Sequence, residues 1–124
     1  MNRIKFTRYW DKLNDAEFTT IRSWDRGKED YYQKLERTEF QVWKAFDKYP
    51  FHQERVLFHA WLKGVTVVVP AKLPYGLLRK DVLLGGSVSQ EWIDKILKMP
   101  KGLLLTFSKT PVLPYQRRIE EVSP

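Results

Sequence analysis

The sequence contains no cysteine. Disulfides, thiolate metal sites and cysteine nucleophiles are excluded together, and the composition fits a reducing, cytoplasmic setting. Long apolar runs are missing too. The longest mainly apolar stretch, Gly64 to Pro70, is far shorter than the about 20 residues a membrane-spanning helix needs. No apolar run follows the basic start Met1-Asn2-Arg3-Ile4-Lys5-Phe6, so no signal peptide is read there. The two histidines, His52 and His59, fall on a turn and a strand with no set of His, Asp or Glu spaced on one face beside them. No metal site is expected, and His59 is read as a strand histidine with an ordinary hydrogen bond. No glycine-rich loop has Walker or dinucleotide spacing, so no cofactor is expected. Gly85-Gly86-Ser87 either holds one anion on its backbone N–H groups or simply turns the chain into a helix.

Acid is scarce over long stretches. From Arg55 to Lys80 there are five basic residues and no acid, and from Lys95 to Ile119 six bases and again none. The net charge is +7, with a pI near 9.7. Segregated positive charge gives a fold one face that attracts phosphates, although the same count also fits a surface of solvated lysines. At 124 residues there is room for one domain, residues 1–124, with residues 119–124 as a frayed tail.

What is present reads as mixed α+β. Tyr9 to Glu17 is expected to be a short helix, with Trp10, Leu13 and Ala16 on one face. Phe18-Thr19-Thr20-Ile21-Arg22-Ser23-Trp24 is rich in β-branched and aromatic types. It reads as a strand with Phe18, Thr20, Arg22 and Trp24 on one side. Asp25-Arg26-Gly27-Lys28 supplies a turn, and Glu29 to Leu35 one or two helical turns. Glu39 to Phe46 alternates as a strand whose core face is ambiguous. Asp47 to Gln53, with Pro50, turns the chain. Arg55 to Leu62 continues through Gly64 into Val65 to Val69, and a glycine within such a pattern marks a bulge or a corner. Pro70 and Pro74 then force a loop. Ser87 and Gln90 have capping-box spacing ahead of a helix that carries Val88, Trp92, Ile93, Ile96 and Leu97 and stops at Pro100. Leu103 to Phe107, after Gly102, is a buried central strand.

The stretch Phe18-Thr19-Thr20-Ile21-Arg22 resembles small prokaryotic ASCH-domain proteins of the PUA-like superfamily. Phe6-Thr7-Arg8-Tyr9, the Leu73-Pro74 pair, Lys80-Asp81 and the strand Gly102 to Phe107 follow the same order, so the resemblance covers most of the chain. It implies a partly open β-barrel with short helices beside it and a cleft between them. It also implies RNA, or a nucleotide-like ligand, as partner. Some such proteins hydrolyse nucleic acid or acylated cytidine. The amide-hydrolysing ones carry Lys-Thr-x-Thr-Ile-Arg at this strand. Thr20 and Arg22 match that pattern, but Glu17 stands at the lysine position and Asp15-Ala16-Glu17 replaces the usual Gly-x-Lys lead-in. A hydroxyl without a neighbouring base is a poor nucleophile, which counts against hydrolysis by that route.

The reading that follows is an RNA-binding module with a positive cleft beside the Thr-Thr-Ile-Arg strand. Arg22 is expected to take a phosphate in its guanidinium fork or stack on a base; the alternative is a structural arginine paired with Asp81 or Glu17. Thr19 and Thr20 are candidates for hydrogen bonds to sugar or phosphate. Trp24 offers a stacking platform beside Arg26 and Lys28, or else caps the core. Arg79 and Lys80 form a candidate phosphate clamp. Tyr9, Tyr31 and Tyr32 are candidate cleft residues, while Trp10, Trp43, Trp61 and Trp92 are expected mostly in the core. The competing reading is a hydrolase acting on a modified nucleoside or an RNA phosphodiester. There Thr20 is the catalytic candidate, with Glu17 or Asp81 as base. A third is a protein-interaction domain that sets its basic face on an acidic partner.

Overall fold

Among the described residues there are seven strands and three helices. In order they are β1 (Asn2–Phe6), a 3₁₀ turn (Asp11–Asn14), β2 (Glu17–Ser23), α1 (Arg26–Lys34), β3 (Glu39–Ala45) and β4 (Glu54–Val68). A second 3₁₀ turn (Pro70–Lys72), α2 (Tyr75–Asp81), β5 (Leu83–Leu84), β6 (Ser87–Val88), α3 (Gln90–Leu97) and β7 (Gly102–Ser108) complete it. The computed structural model describes residues 1–45 and 54–112. The expected turn with Pro50, His52 and the tail lie outside the described residues. The architecture is mixed α+β: a five-stranded sheet in the order β1-β3-β4-β7-β2, and a small β5-β6 hairpin. Among the described strands only β1 and β3 run parallel. No described helix is long and apolar enough to cross a membrane.

The sheet is strongly curled. In a flat sheet four inter-strand steps would separate the edges by about 19 Å. Yet the ring centroids of Phe6 on edge strand β1 and Phe18 on edge strand β2 lie 6.2 Å apart. Among the described residues no ladder joins β1 to β2, so the curled sheet is not a closed barrel. Inside the curl, Phe18 stacks on Phe107 at 5.4 Å, and Phe107 meets Phe40 edge-on at 5.3 Å. Phe40, Phe107, Leu62, Leu103 and Leu105 are fully buried.

Two irregularities in β4 make the curl compatible with one apolar lining. Side chains alternate across a strand, so one extra residue swaps its faces. Opposite β3 the register slips between Val42 and Trp43, and opposite β7 it slips between Leu62 and Gly64. The second slip lets Leu62 oppose Phe107 and Val65 oppose Leu105, so residues of opposite parity in β4 face the same side. The bulge expected at Gly64 is therefore present. In β3 the inward face is Phe40, Val42 and Lys44, which resolves the ambiguity of the sequence. Gly102 begins β7 because a Cβ there would sit 3.2 Å from Ile21 Cγ2 and 3.3 Å from the Arg22 carbonyl oxygen.

Several local expectations need correction. The helix expected over residues 9–17 is only the 3₁₀ turn, because β2 already begins at Glu17; Trp10 and Leu13 are buried as expected. Asp25-Arg26-Gly27-Lys28 is a helix start, not a free turn: Asp25 accepts the Lys28 backbone N–H at 2.7 Å and caps α1. The region after Pro74 is the helix α2, with proline at its entry. Ser87 is not a cap. It pairs with Leu84 in the β5-β6 hairpin, and Ser89 precedes α3. Gly85 and Gly86 both take positive φ, 58° and 79°, as a two-residue hairpin turn of the primed type requires.

Candidate functional site

Among the described residues, a cleft lies in the gap between the two sheet edges. Lys5, Phe6 and Thr7 at the end of β1 form one wall, and Thr20 to Ser23 of β2 the other. Trp10 and Lys12 from the first 3₁₀ turn, Asp81 and Val82 from the end of α2, and Trp92, Lys95 and Ile96 from α3 complete it. The cavity measures about 340 Å³, within the range of small-ligand sites. A second cavity of about 400 Å³ is lined by Glu17, Phe18, Thr19, Gly76, Leu77 and Lys80. Lys12 and Asp81 line both, so this ion pair is the partition between them.

Arg22 bridges the gap. Its Nη2 donates to the Lys5 carbonyl oxygen of β1 at 3.0 Å, its Nε donates to Thr20 Oγ1 at 3.2 Å, and its guanidinium carbon lies 4.9 Å from the Phe6 ring centre. All these partners are neutral. Among the described residues no carboxylate lies within ion-pair distance of Arg22, and Asp81 and Glu17 are engaged elsewhere. Burial lowers the pKa of the guanidinium, with Tyr32 and Asp81 opposing the effect from a distance. The cation has lost solvent without gaining a counter-charge.

Lys12, which lines the same cavity, is only 4% exposed. Its Nζ lies 3.2 Å from Asp81 Oδ1 and 5.3 Å from the Phe6 ring centre. The same Oδ1 accepts the Thr19 hydroxyl at 2.8 Å. Burial pushes the Lys12 amine down to about 8; Asp81 pulls it back up in part, and Arg22 adds to the lowering. The 3₁₀ turn is held in place at the preceding residue. Both carboxylate oxygens of Asp11 accept backbone N–H groups, from Gly85 and Gly86, each at 2.8 Å. The glycine pair, read from sequence as either an anion site or a helix-entry turn, is a hairpin turn whose N–H groups are taken by a carboxylate of the chain itself.

The structure brings some sequence-selected residues together and scatters others. Thr20 and Arg22 line the first cavity; Thr19 and Lys80 line the second. Trp24 lines neither. Its indole N–H donates to Glu29 at 2.7 Å, and Lys101 Nζ covers its ring at 3.8 Å. Arg26 is exposed at the start of α1, and Lys28 Nζ is bonded to Ser23 Oγ at 2.9 Å. Arg79 lies over the exposed Tyr75 ring at 5.9 Å, and Lys80 is 3.8 Å from Asp15. Of the tryptophans only Trp10 is fully in the core, while Trp92 walls the cleft edge-on to Trp10 at 5.5 Å. Glu17 pairs with Lys63 at 3.0 Å on the surface.

Sequence reading missed Lys5, Lys12 and Lys95. The spacing of Trp92, Lys95, Ile96 and Met99 on one helical face could have revealed Lys95. Nothing local marks Lys12, because its partner Asp81 is remote in sequence. The chain matches no family model, no curated protein sequence and no solved structure.

Proposed function

We propose that the chain binds RNA or a nucleotide-like ligand, with a phosphate of that ligand on Arg22 in the gap between β1 and β2. The observation that carries the reading is a partly buried guanidinium that faces a cavity and has only neutral partners. Lys5 and Lys95 stand on the same cavity, each with one exposed carboxylate partner, Glu54 at 2.9 Å and Glu91 at 3.3 Å. Exposed pairs of this kind exchange readily for a phosphate. The resemblance to ASCH-domain proteins, with the fold and the RNA partner it implies, belongs to this reading: the strand that carries it, Phe18 to Arg22, walls the cleft.

The test is binding of single-stranded RNA oligonucleotides by fluorescence anisotropy. Arg22→Gln removes one charge-assisted contact and is expected to weaken binding by about 1.5–3 kcal/mol, roughly 10- to 100-fold. Lys34→Gln, on the exposed face of α1, serves as the control. Contacts from Lys5, Arg22 and Lys95 imply a log K against log salt slope of about −2. Equal binding by the two variants, or a flat salt response, refutes the reading.

A second reading, hydrolysis of an acylated nucleoside, gains from one observation. Although Glu17 replaces the expected lysine, the Lys12 amine lines the cavity that Thr20 also lines. A desolvated amine is a competent base for a hydroxyl nucleophile. Incubation with N-acylated cytidine tests it. Turnover by the unaltered chain that Thr20→Val abolishes supports the reading, and no turnover by the unaltered chain ends it.

A further inference from the structure

Lys12 differs from every exposed lysine in its surroundings. From its own turn, Trp10 and Leu13 are buried beside it. From β1 the Phe6 ring faces its ammonium, from α2 Asp81 contacts it, and from β2 come Arg22 and the Thr19 hydroxyl that shares Asp81 Oδ1. From α3, Lys95 stands on the same cavity. Lys12 borders two cavities of about 340 and 400 Å³. The buried pair borders both cavities, and replacing such a pair by apolar residues is often neutral or stabilising, so stability alone does not call for it.

We propose that Lys12 is an imine-forming amine for an open-chain sugar aldehyde that carries a phosphate. The phosphate rests on Arg22 and the aldehyde carbon meets Nζ, so the inference builds on the phosphate role given to Arg22 above. The neutral amine attacks the carbonyl carbon and forms the C–N bond. The carbonyl oxygen gains two protons, both in effect from the nitrogen, and departs as water, leaving a C=N bond. Asp81 Oδ1, 3.2 Å from the nitrogen, is the carboxylate oxygen placed to carry protons between them. No oxidant or reductant is consumed. Amines become competent for this step when they are desolvated or set near a second cation, and both conditions hold here. Burial and Arg22 bring the amine to about 8, so a sizeable fraction is neutral near pH 7.5. The same chemistry has two sources: a free sugar phosphate, or the ring-opened sugar of an abasic site in a nucleic acid strand.

The experiment incubates the full chain with glyceraldehyde 3-phosphate, with unphosphorylated glyceraldehyde, and with an oligonucleotide bearing one abasic site. Cyanoborohydride fixes any imine as a secondary amine, and peptide mass mapping locates it. Lys12 should be labelled about tenfold faster than any exposed lysine near pH 7.5, since an ordinary lysine is almost wholly protonated there. The phosphorylated aldehyde should label Lys12 faster than the unphosphorylated one, and Arg22→Gln should remove that preference. Preferential adducts with the oligonucleotide assign the nucleic acid source, and preferential adducts with the small phosphate assign the free sugar; either result supports the proposal. Lys34→Gln, on the exposed face of α1, should leave labelling intact. Adducts spread over surface lysines with none favoured at Lys12, or equal labelling by the two glyceraldehydes, overturn it. The mapping uses the unaltered protein, so a misfolded Lys12→Met variant would not obscure the answer. Should Lys12 stay unlabelled while RNA still binds through Arg22, this inference fails and the binding function stands.

Discussion

The buried lysine makes stability depend on pH in a direction opposite to that of an ordinary ion-paired lysine, whose folded pKa is raised. The ordinary lysine value is 10.5, and in the folded chain Lys12 lies near 8. Between these values the unfolded chain holds a proton that the folded chain has lost. Stability rises with pH wherever the unfolded state binds more protons, by about 1.4 kcal/mol per pH unit for one group. Lys12 should therefore contribute little slope below pH 8, a rising one from pH 8 to 10.5, and about 3 kcal/mol across the interval. Tyr32, raised by burial, works against this at the alkaline end, where the unfolded chain ionises first. The comparison that isolates Lys12 is the double substitution Lys12→Met with Asp81→Asn. It removes both charges together and so leaves neither one buried alone. Urea denaturation of both proteins at pH 7, 8, 9 and 9.5 gives the difference in slope. If the unaltered chain and the double variant change in parallel from pH 8 to 9.5, Lys12 has an ordinary affinity for its proton and the account of its surroundings is wrong.

Two structural perturbations have predictable sizes. Phe107→Ala removes a fully buried ring between Phe18 and Phe40 and should cost about 3–5 kcal/mol, read as a fall in the urea midpoint. A loss under 1 kcal/mol would mean that these rings do not form the core. Asp11→Ala takes the acceptor from two backbone N–H groups that water can reach, and should cost about 1–2 kcal/mol. Hydrogen exchange at Gly85 and Gly86 should accelerate in that variant, and unchanged exchange would contradict the assigned bonds.

The strands were legible because their signals are local. Phe18 to Ser23, Glu39 to Ala45 and Leu103 to Phe107 alternate or run apolar over enough residues to declare themselves, and Gly64 marks the second bulge. β1 escaped notice because Asn2-Arg3-Ile4-Lys5-Phe6 offers only two apolar positions, and its parallel partner lies far along the chain. α2 was concealed by the prolines before it, since a proline at a helix entry looks the same in sequence as one that ends a segment. Ser87 satisfied the spacing of a capping box but was claimed by the hairpin that Gly85 and Gly86 allow. At the site, Thr20 and Arg22 could be chosen from one strand. The meeting of Arg22 with the Lys5 carbonyl, and of Lys12 with Asp81, depends on how far the sheet curls, and no short window encodes that.

The pinning of the first 3₁₀ turn has a consequence for the order in which the chain acquires its parts. Asp11 reaches Gly85 and Gly86 at sequence separations of 74 and 75, and Lys12 finds its counter-charge only at Asp81. Closing such long loops is slow compared with pairing neighbouring segments. β3 and β4 can therefore zip together while the wall that carries Lys12 still waits for chain made much later. A nascent polypeptide halted before Gly85 would own the arginine strand and lack the anchor for the lysine opposite it.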